Sequence, residues 1–190
     1  MTSVSHPITT ELILGGQKSG KSRRAELLAR DWLAQSADHR AVLIATGQAW
    51  DDEMRERIAR HQRDRMVRVP GMVTVEEPLA LAEVLQRHSA PHTLVVVDCL
   101  TLWLTNLLMP AQGAPLDAEL PIRELCRAIE QAKGPVVLVG NEIGLGVIPM
   151  GREVRSFVDA LGGLNQAVAA VCSRVTLMAA GLPLTLKEPG

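Results

Sequence analysis

Apolar residues along the chain fall into short unbroken runs, separated by longer stretches in which they recur every three or four positions. The runs Glu11 to Leu14, Ala41 to Ala45, Met72 to Val75, Thr93 to Val97 and Val136 to Val139 are rich in Val, Ile and Leu, which predicts short strands buried on both faces. Helical spacing predicts helices over Ser22 to Gln35, Asp51 to Arg65, Glu77 to Arg87, Glu119 to Lys133 and Arg152 to Val171. Strands that alternate with helices predict an α/β domain of three layers, with a mostly parallel central sheet covered on both faces. The stretch Met109 to Asp117, with Pro110, Gly113 and Pro115, predicts a surface loop. A boundary there would leave two pieces, each too small to bury a good core. One domain over residues 1–190 is therefore expected, with Met1 to Thr10 as a disordered tail.

Composition narrows the classes of function. Twenty Lys and Arg against twenty-one Asp and Glu give a net charge of -1, so no global positive field attracts nucleic acid or an anionic membrane. Four aromatic residues, Trp32, Trp50, Trp103 and Phe157, leave the core to aliphatic side chains and offer no platform for stacked bases. Cys99, Cys126 and Cys172 are odd in number, far apart and set in apolar runs, which excludes a disulfide framework or a CxxC centre. The polar start of the chain, with Pro7, is unlike a secretory signal, and no apolar run approaches the roughly 18 residues of a membrane span. A cytoplasmic protein with reduced thiols is the expectation.

The strongest chemical signal is Gly15-Gly16-Gln17-Lys18-Ser19-Gly20-Lys21-Ser22, which matches G-x-x-x-x-G-K-S/T between a predicted strand and a predicted helix. Glycines let backbone N–H groups wrap phosphate oxygens, and the helix N-terminus adds positive potential. Lys21 then reaches the outer phosphates, and the Ser22 hydroxyl takes a Mg²⁺ position. Asp98 closes the run Leu94 to Asp98, at the carboxyl end where open parallel sheets bind ligands, and is a second candidate for the Mg²⁺ shell. In the helix Asp51 to Arg65, the pairs Glu53–Arg57 and Glu56–Arg60 are those of an ordinary solvated face. Met54, Ile58 and His61, however, share one stripe, so the histidine is expected to face the protein body, with Arg57 and Arg65 a turn to either side. An imidazole beside guanidinium groups suited to phosphate is a candidate nucleophile toward phosphorus, with a packed or surface histidine as the plainer alternative.

GGQKSGKS, IATGQAWDDEMRERIARHQ, TVEEP, VDCLTLWLTNLL, GNEIGLGVIP and a GLNQ segment occur in this order from about Leu12 to Lys187. In these motifs the chain resembles the bifunctional adenosylcobinamide kinases and adenosylcobinamide-phosphate guanylyltransferases of cobalamin biosynthesis, which are P-loop, RecA-like proteins. The resemblance implies two reactions. ATP or GTP phosphorylates the aminopropanol hydroxyl of adenosylcobinamide. GTP then gives GMP to the product, through a guanylyl-histidine at the position of His61, yielding adenosylcobinamide-GDP and pyrophosphate. It also implies nucleotide contacts at Gly15, Gly16, Gln17, Lys18, Ser19, Gly20, Lys21 and Ser22, at Ala45, Thr46 and Gly47, at Gln62, Arg63, Asp64 and Arg65, and at Glu76 and Asp98, together with a homotrimer. Relatives carry two adjacent histidines where this chain has Arg60-His61, so the second position is the one retained. For the kinase step Glu142, after the run Val136 to Val139, is a candidate base, with a loop acid that caps or salt-bridges as the alternative. Two rivals remain: a simple P-loop small-molecule kinase, which needs no histidine at position 61, and a RecA-like ATPase on nucleic acid, against which the charge balance and scarce aromatics speak.

Overall fold

The computed structural model describes residues 9–49 and 52–189, with the side chains of residues 53, 54, 57 and 58 excepted. The elements in chain order are β1 (Thr10–Gly15), α1 (Lys21–Leu33), β2 (Arg40–Ala45), α2 (Asp52–Arg68), β3 (Val73–Glu76), α3 (Leu81–His88), β4 (Thr93–Asp98), α4 (Leu100–Leu108), α5 (Glu119–Glu130), β5 (Val136–Val139), α6 (Arg152–Val171), β6 (Arg174–Ala179) and β7 (Leu182–Lys187). The strands form one seven-stranded sheet in the order β3-β2-β4-β5-β1-β6-β7, parallel except for the β6–β7 hairpin. The α/β expectation with a mostly parallel sheet is met.

Alternation along each strand sends side chains to two layers. Leu12, Leu14, Ile44, Val95, Val97 and Leu138 pack beneath α3, α4, α5 and α6, whereas Ile13, Leu43, Val96, Val137 and Val139 pack against Ala25 and Ala29 of α1 and against Val69 just beyond α2. Two polar clusters anchor α1. Glu11 on β1, almost wholly buried, accepts from Nε and Nη2 of Arg24 at 3.1 and 2.9 Å and from the Thr176 hydroxyl at 2.7 Å. Glu26, also buried, meets Arg68 and Arg65 of α2.

Several expectations are corrected. The predicted helix at Glu77 begins only at Leu81, because the Glu77 carboxylate accepts from the amides of Leu79 and Ala80 and turns the chain around Pro78. Helix α4 was not expected, and neither were β6 and β7. Thr10, placed in the tail by sequence, opens β1 and is buried, its hydroxyl and backbone bonded to Ser173; the rest of the tail through residue 8 lies outside the described residues. Asp51 likewise lies outside them, as do the side chains of Met54, Ile58 and Arg57 on which the predicted stripe and flanking arginine depend. Among the described residues no helix is long and apolar enough to cross a membrane.

All three cysteines are free. Burial first, and then the nearby Asp98 carboxylate, pushes the Cys99 thiol up to about 12, and burial pushes Cys172 up to about 12 as well; Cys126 is raised in the same direction by its partial burial. A neutral thiol held this way favours the folded state fully below the free-thiol value of 9.0, and that contribution is lost as pH rises from there toward 12. Native protein at pH 8 should therefore react with a thiol reagent chiefly at Cys126, reach all three sites only after denaturation, and lose unfolding free energy between about pH 9 and 11 beyond what a Cys99→Ala, Cys172→Ala variant loses.

Candidate active site

In a parallel sheet every carboxyl end lies at one edge, and here the register sets the ends abreast. Ala45 pairs with Glu76 on one side and with Asp98 on the other, and Asp98 pairs in turn with Val139. With neighbouring strands about 4.8 Å apart, Glu76 and Asp98 stand about 10 Å from each other across this row. The continuous run of Val136–Val139 places β5 between β1 and β4, so the loop after β1 is a further two strand spacings from Asp98.

The Gly15 to Ser22 loop is shaped by its glycines and by the distant hairpin. Gly15 has φ +150, and a Cβ there would lie 2.4 Å from the Met178 carbonyl oxygen and 2.7 Å from Ser19 Oγ, so only glycine fits. Gly20, with φ +100, turns the chain into α1. The Ser19 amide donates to the Gly16 carbonyl at 3.3 Å, and the Gly181 amide, in the β6–β7 turn, donates to the Ser19 carbonyl at 3.1 Å. Lys21 is buried, with its ammonium donating to the Gly16 carbonyl at 2.6 Å. Gln17 and Lys18 are exposed, consistent with a loop whose backbone, rather than its side chains, faces phosphate.

A cavity of about 910 Å³ opens beside this loop. Ser22, Ala45, Gly47, His61, Gln62, Arg65, Glu76 and Asp98, all singled out by sequence, line it together. Helix α2 thus carries His61 to the same space as the first helical turn after the loop. Gln62 Nε2 donates to Glu76 Oε1 at 3.4 Å, and Arg65 donates from Nη1 to the Thr74 hydroxyl at 3.2 Å while its Nε lies 3.8 Å from Glu26.

Other sequence candidates sit elsewhere. Thr46 is fully buried, and its hydroxyl donates to the Cys99 carbonyl at 2.7 Å while accepting from the Cys99 amide at 2.9 Å, a brace between the ends of β2 and β4. Arg63 and Asp64 are exposed and do not line the cavity; Asp64 pairs with Arg68. Glu142 lies outside the lining too. Its amide donates to the Gly15 carbonyl, and its carboxylate accepts from the Gly144 amide at 2.7 Å, the geometry of a turn cap. The neighbouring apolar segment is open to solvent, with Val147 and Met150 both 95% exposed.

Sequence reasoning did not place several wall residues. Asn106 donates to the carbonyls of Thr46 and Pro78, Trp103 donates to that of Leu79, and so α4 holds two wall segments at once. Pro110, Ala111 and Gln112, expected as plain surface loop, form part of the lining. No local spacing rule reports such contacts; the one signal was the apolar density of Leu100 to Leu108, where only Thr101, Thr105 and Asn106 are polar, too few for the open face of a surface helix.

Comparison with known proteins gives a consistent result. Residues 11–186 match the family model described as cobinamide kinase / cobinamide phosphate guanyltransferase. The chain is 49% identical over 182 residues to the bifunctional adenosylcobalamin biosynthesis protein CobP of Pseudomonas aeruginosa, covering 94% of this chain and 98% of that one. It is 34% identical to the corresponding protein CobU of Escherichia coli, covering 93% and 98%. Among solved structures, the flagellar accessory protein FlaH of Methanocaldococcus jannaschii superposes with a TM-score of 0.55 at 10% identity, covering 95% of this chain and 79% of that chain, a likeness of fold.

The close approach at Gly15 makes a direct prediction. Gly15→Ala should lower unfolding free energy by about 2 kcal/mol or more and abolish nucleotide binding, read by thermal denaturation and by GTP titration. Unchanged values in both would show that the loop does not need this turn.

Proposed function

The chain belongs to the cobinamide kinase / cobinamide phosphate guanyltransferase family, and from that premise we propose that one cavity serves both transfers, with His61 as the carrier of GMP. The enzyme is bifunctional, as its relatives are, and acts in adenosylcobalamin biosynthesis. The observation that carries the assignment of His61 is its place in the lining beside Ser22 and Asp98.

GTP lies with its phosphates in the loop of residues 15–22, where backbone amides and the N-terminus of α1 favour negative charge. Lys21 exchanges its contact with the Gly16 carbonyl for a phosphate oxygen. An unprotonated ring nitrogen of His61 attacks the α-phosphorus; a P–N bond forms, the bond to the β-phosphate oxygen breaks, and pyrophosphate leaves. A phosphate oxygen of adenosylcobinamide phosphate then attacks the same phosphorus, giving adenosylcobinamide-GDP and returning the imidazole. Arg65 in the lining stabilises the charge that develops on phosphate oxygens, a task for which its planar fork of donors suits it. Gln62 holds Glu76, and both face the nucleotide. In the kinase step ATP or GTP gives its γ-phosphoryl group to the aminopropanol hydroxyl of adenosylcobinamide, and this step makes no demand on His61.

Ser22 and Asp98 offer hard oxygen donors to the same cavity, a set that fits Mg²⁺ completed by phosphates and water. Among the described residues no cluster of three His, Cys, Asp or Glu side chains could hold an ion unaided, so binding of metal and nucleotide would be linked. When bound, the ion neutralises phosphate charge. The resemblance to the family further supports a cytoplasmic homotrimer, and the near-balanced charge supports small-molecule partners rather than nucleic acid.

Labelled GTP tests the assignment. With Mg²⁺, label from the α-phosphate should remain on precipitated protein, be lost in acid and survive alkali, whereas γ-label should not be retained. His61→Ala should remove the adduct and slow guanylyl transfer roughly 10³-fold, about 4 kcal/mol of barrier, while sparing the kinase step. Chelation of Mg²⁺ should stop both. Retention of α-label by His61→Ala would refute the role of His61, and a parent protein that turns over nucleotide without any adduct would favour the simple kinase.

A further inference from the structure

We propose that Glu26 is a positioning residue for guanylyl transfer: it clamps the helix that carries the nucleophile to the helix that opens at the phosphate loop. The inference rests on the assignment of His61 made above. Glu26 lies one turn past Lys21 and Ser22 on α1 and is only 3% exposed. Both of its oxygens face α2. Arg68 donates from Nη1 to Oε2 at 2.6 Å, and Arg65 approaches Oε1 through Nε at 3.8 Å. The contact with Glu26 is also what raises Arg68 above the ordinary guanidinium range.

Arg65 is the link to the reacting atoms. It follows His61 by one helical turn, so the two share a face of α2, and both line the cavity. Its Nη1 donates to the Thr74 hydroxyl on β3, so that one guanidinium touches the sheet, the cavity wall and the neighbourhood of Glu26. Apolar contact accompanies the clamp, since Val69 packs with Ala25 and Ala29. Apolar contact alone, however, tolerates sliding, whereas a carboxylate between two guanidinium groups has one good arrangement.

The chemistry explains why the arrangement matters more to one reaction than to the other. Attack on the α-phosphorus needs the ring nitrogen within about 3–3.5 Å and in line with the leaving pyrophosphate, and a 1 Å misplacement costs about a hundredfold. The electrophile is held from the N-terminus of α1 and the nucleophile from the middle of α2, so their relative position is the relative position of the two helices. Phosphoryl transfer from the γ-phosphorus to the hydroxyl of adenosylcobinamide joins two groups that are not on α2. It therefore depends on the clamp only through Gln62 and Arg65, which face the nucleotide from α2, and not through the placement of its reacting groups.

Three measurements on each protein test this: the single-turnover rate of histidine adduct formation from α-labelled GTP, the steady-state kinase kcat, and GTP affinity. Glu26→Gln keeps the side chain's size and an acceptor for Arg68 but removes the charge. With nucleotide saturating, it should slow adduct formation about tenfold to a hundredfold and leave kinase kcat within about twofold of the parent. GTP affinity should fall by a smaller factor than adduct formation, because Arg65 also faces the nucleotide, and the defect should be partly reversed in Glu26→Asp. Arg68→Gln, at a half-exposed position that leaves the fold intact, should move the ratio of the two activities in the same direction, and combining it with Glu26→Gln should add little. The proposal is overturned if adduct formation in Glu26→Gln stays within twofold of the parent, or if adduct formation and kinase kcat at saturating nucleotide fall by the same factor. If Glu26→Gln does not fold, an unchanged activity ratio in Arg68→Gln overturns it. Absence of any adduct in the parent protein would instead strike the assignment of His61, and is seen before any Glu26 variant is made.

Discussion

A parallel sheet delivers all its carboxyl ends to one edge, and the register between strands decides which residues meet there. In this protein the row Glu76, Ala45, Asp98, Val139 follows from the strand register, independently of any side-chain contact within the site. A slip of one residue between β2 and β4 would turn every buried valine of β4 to the opposite layer, so the packing of the two cores holds the row in place. The position of Asp98 relative to the phosphate loop is thus a consequence of core packing, and the Thr46–Cys99 brace finishes the job at the strand ends.

The buried charges have a different task. Glu11 with Arg24 ties α1 to the sheet, and Glu26 with Arg65 and Arg68 ties α1 to α2. Buried ion pairs add little net stability compared with well-packed apolar residues, because desolvation offsets most of the attraction. Their directional demand is what an apolar contact lacks. Both acids sit on elements that flank the phosphate loop, one before it and one after it, so the helix that presents its N-terminus to a nucleotide is oriented from both sides.

Much of this was legible in the sequence, for identifiable reasons. Unbroken valine runs marked the central strands, and the glycine-rich loop could be placed between β1 and α1 because its chemistry requires that context. Asp98 was accessible because it closes a strand, whereas His61 was singled out by the family resemblance, since the stripe it shares depends on Met54 and Ile58, whose side chains lie outside the described residues. Helix α4 was missed because Leu100, Trp103, Leu104 and Leu107 are all buried and the intervening Leu102 packs on the other layer, which erases the amphipathic period. In the β6–β7 hairpin, Leu182, Leu184 and Leu186 do alternate with Pro183, Thr185 and Lys187, but Pro183 inside the run weakens a strand reading, and it is accommodated because β7 is the edge strand of the sheet. Glu26 lay hidden within an ordinary helical pattern, since its partners are distant in sequence and only the docking of two helices reveals them.

The grip of the β6–β7 turn on Ser19 has a consequence for biogenesis. Both neighbours of β1 in the sheet, β5 and β6, and the carbonyl that crowds Gly15 come from far downstream of the loop they support. During translation the phosphate loop leaves the ribosome long before these partners exist, and pairings of such long sequence separation form slowly. Nascent chains cannot acquire a finished loop until the hairpin has emerged, so nucleotide-binding competence arrives late, at a stage when the α2 side of the sheet already has the means to assemble.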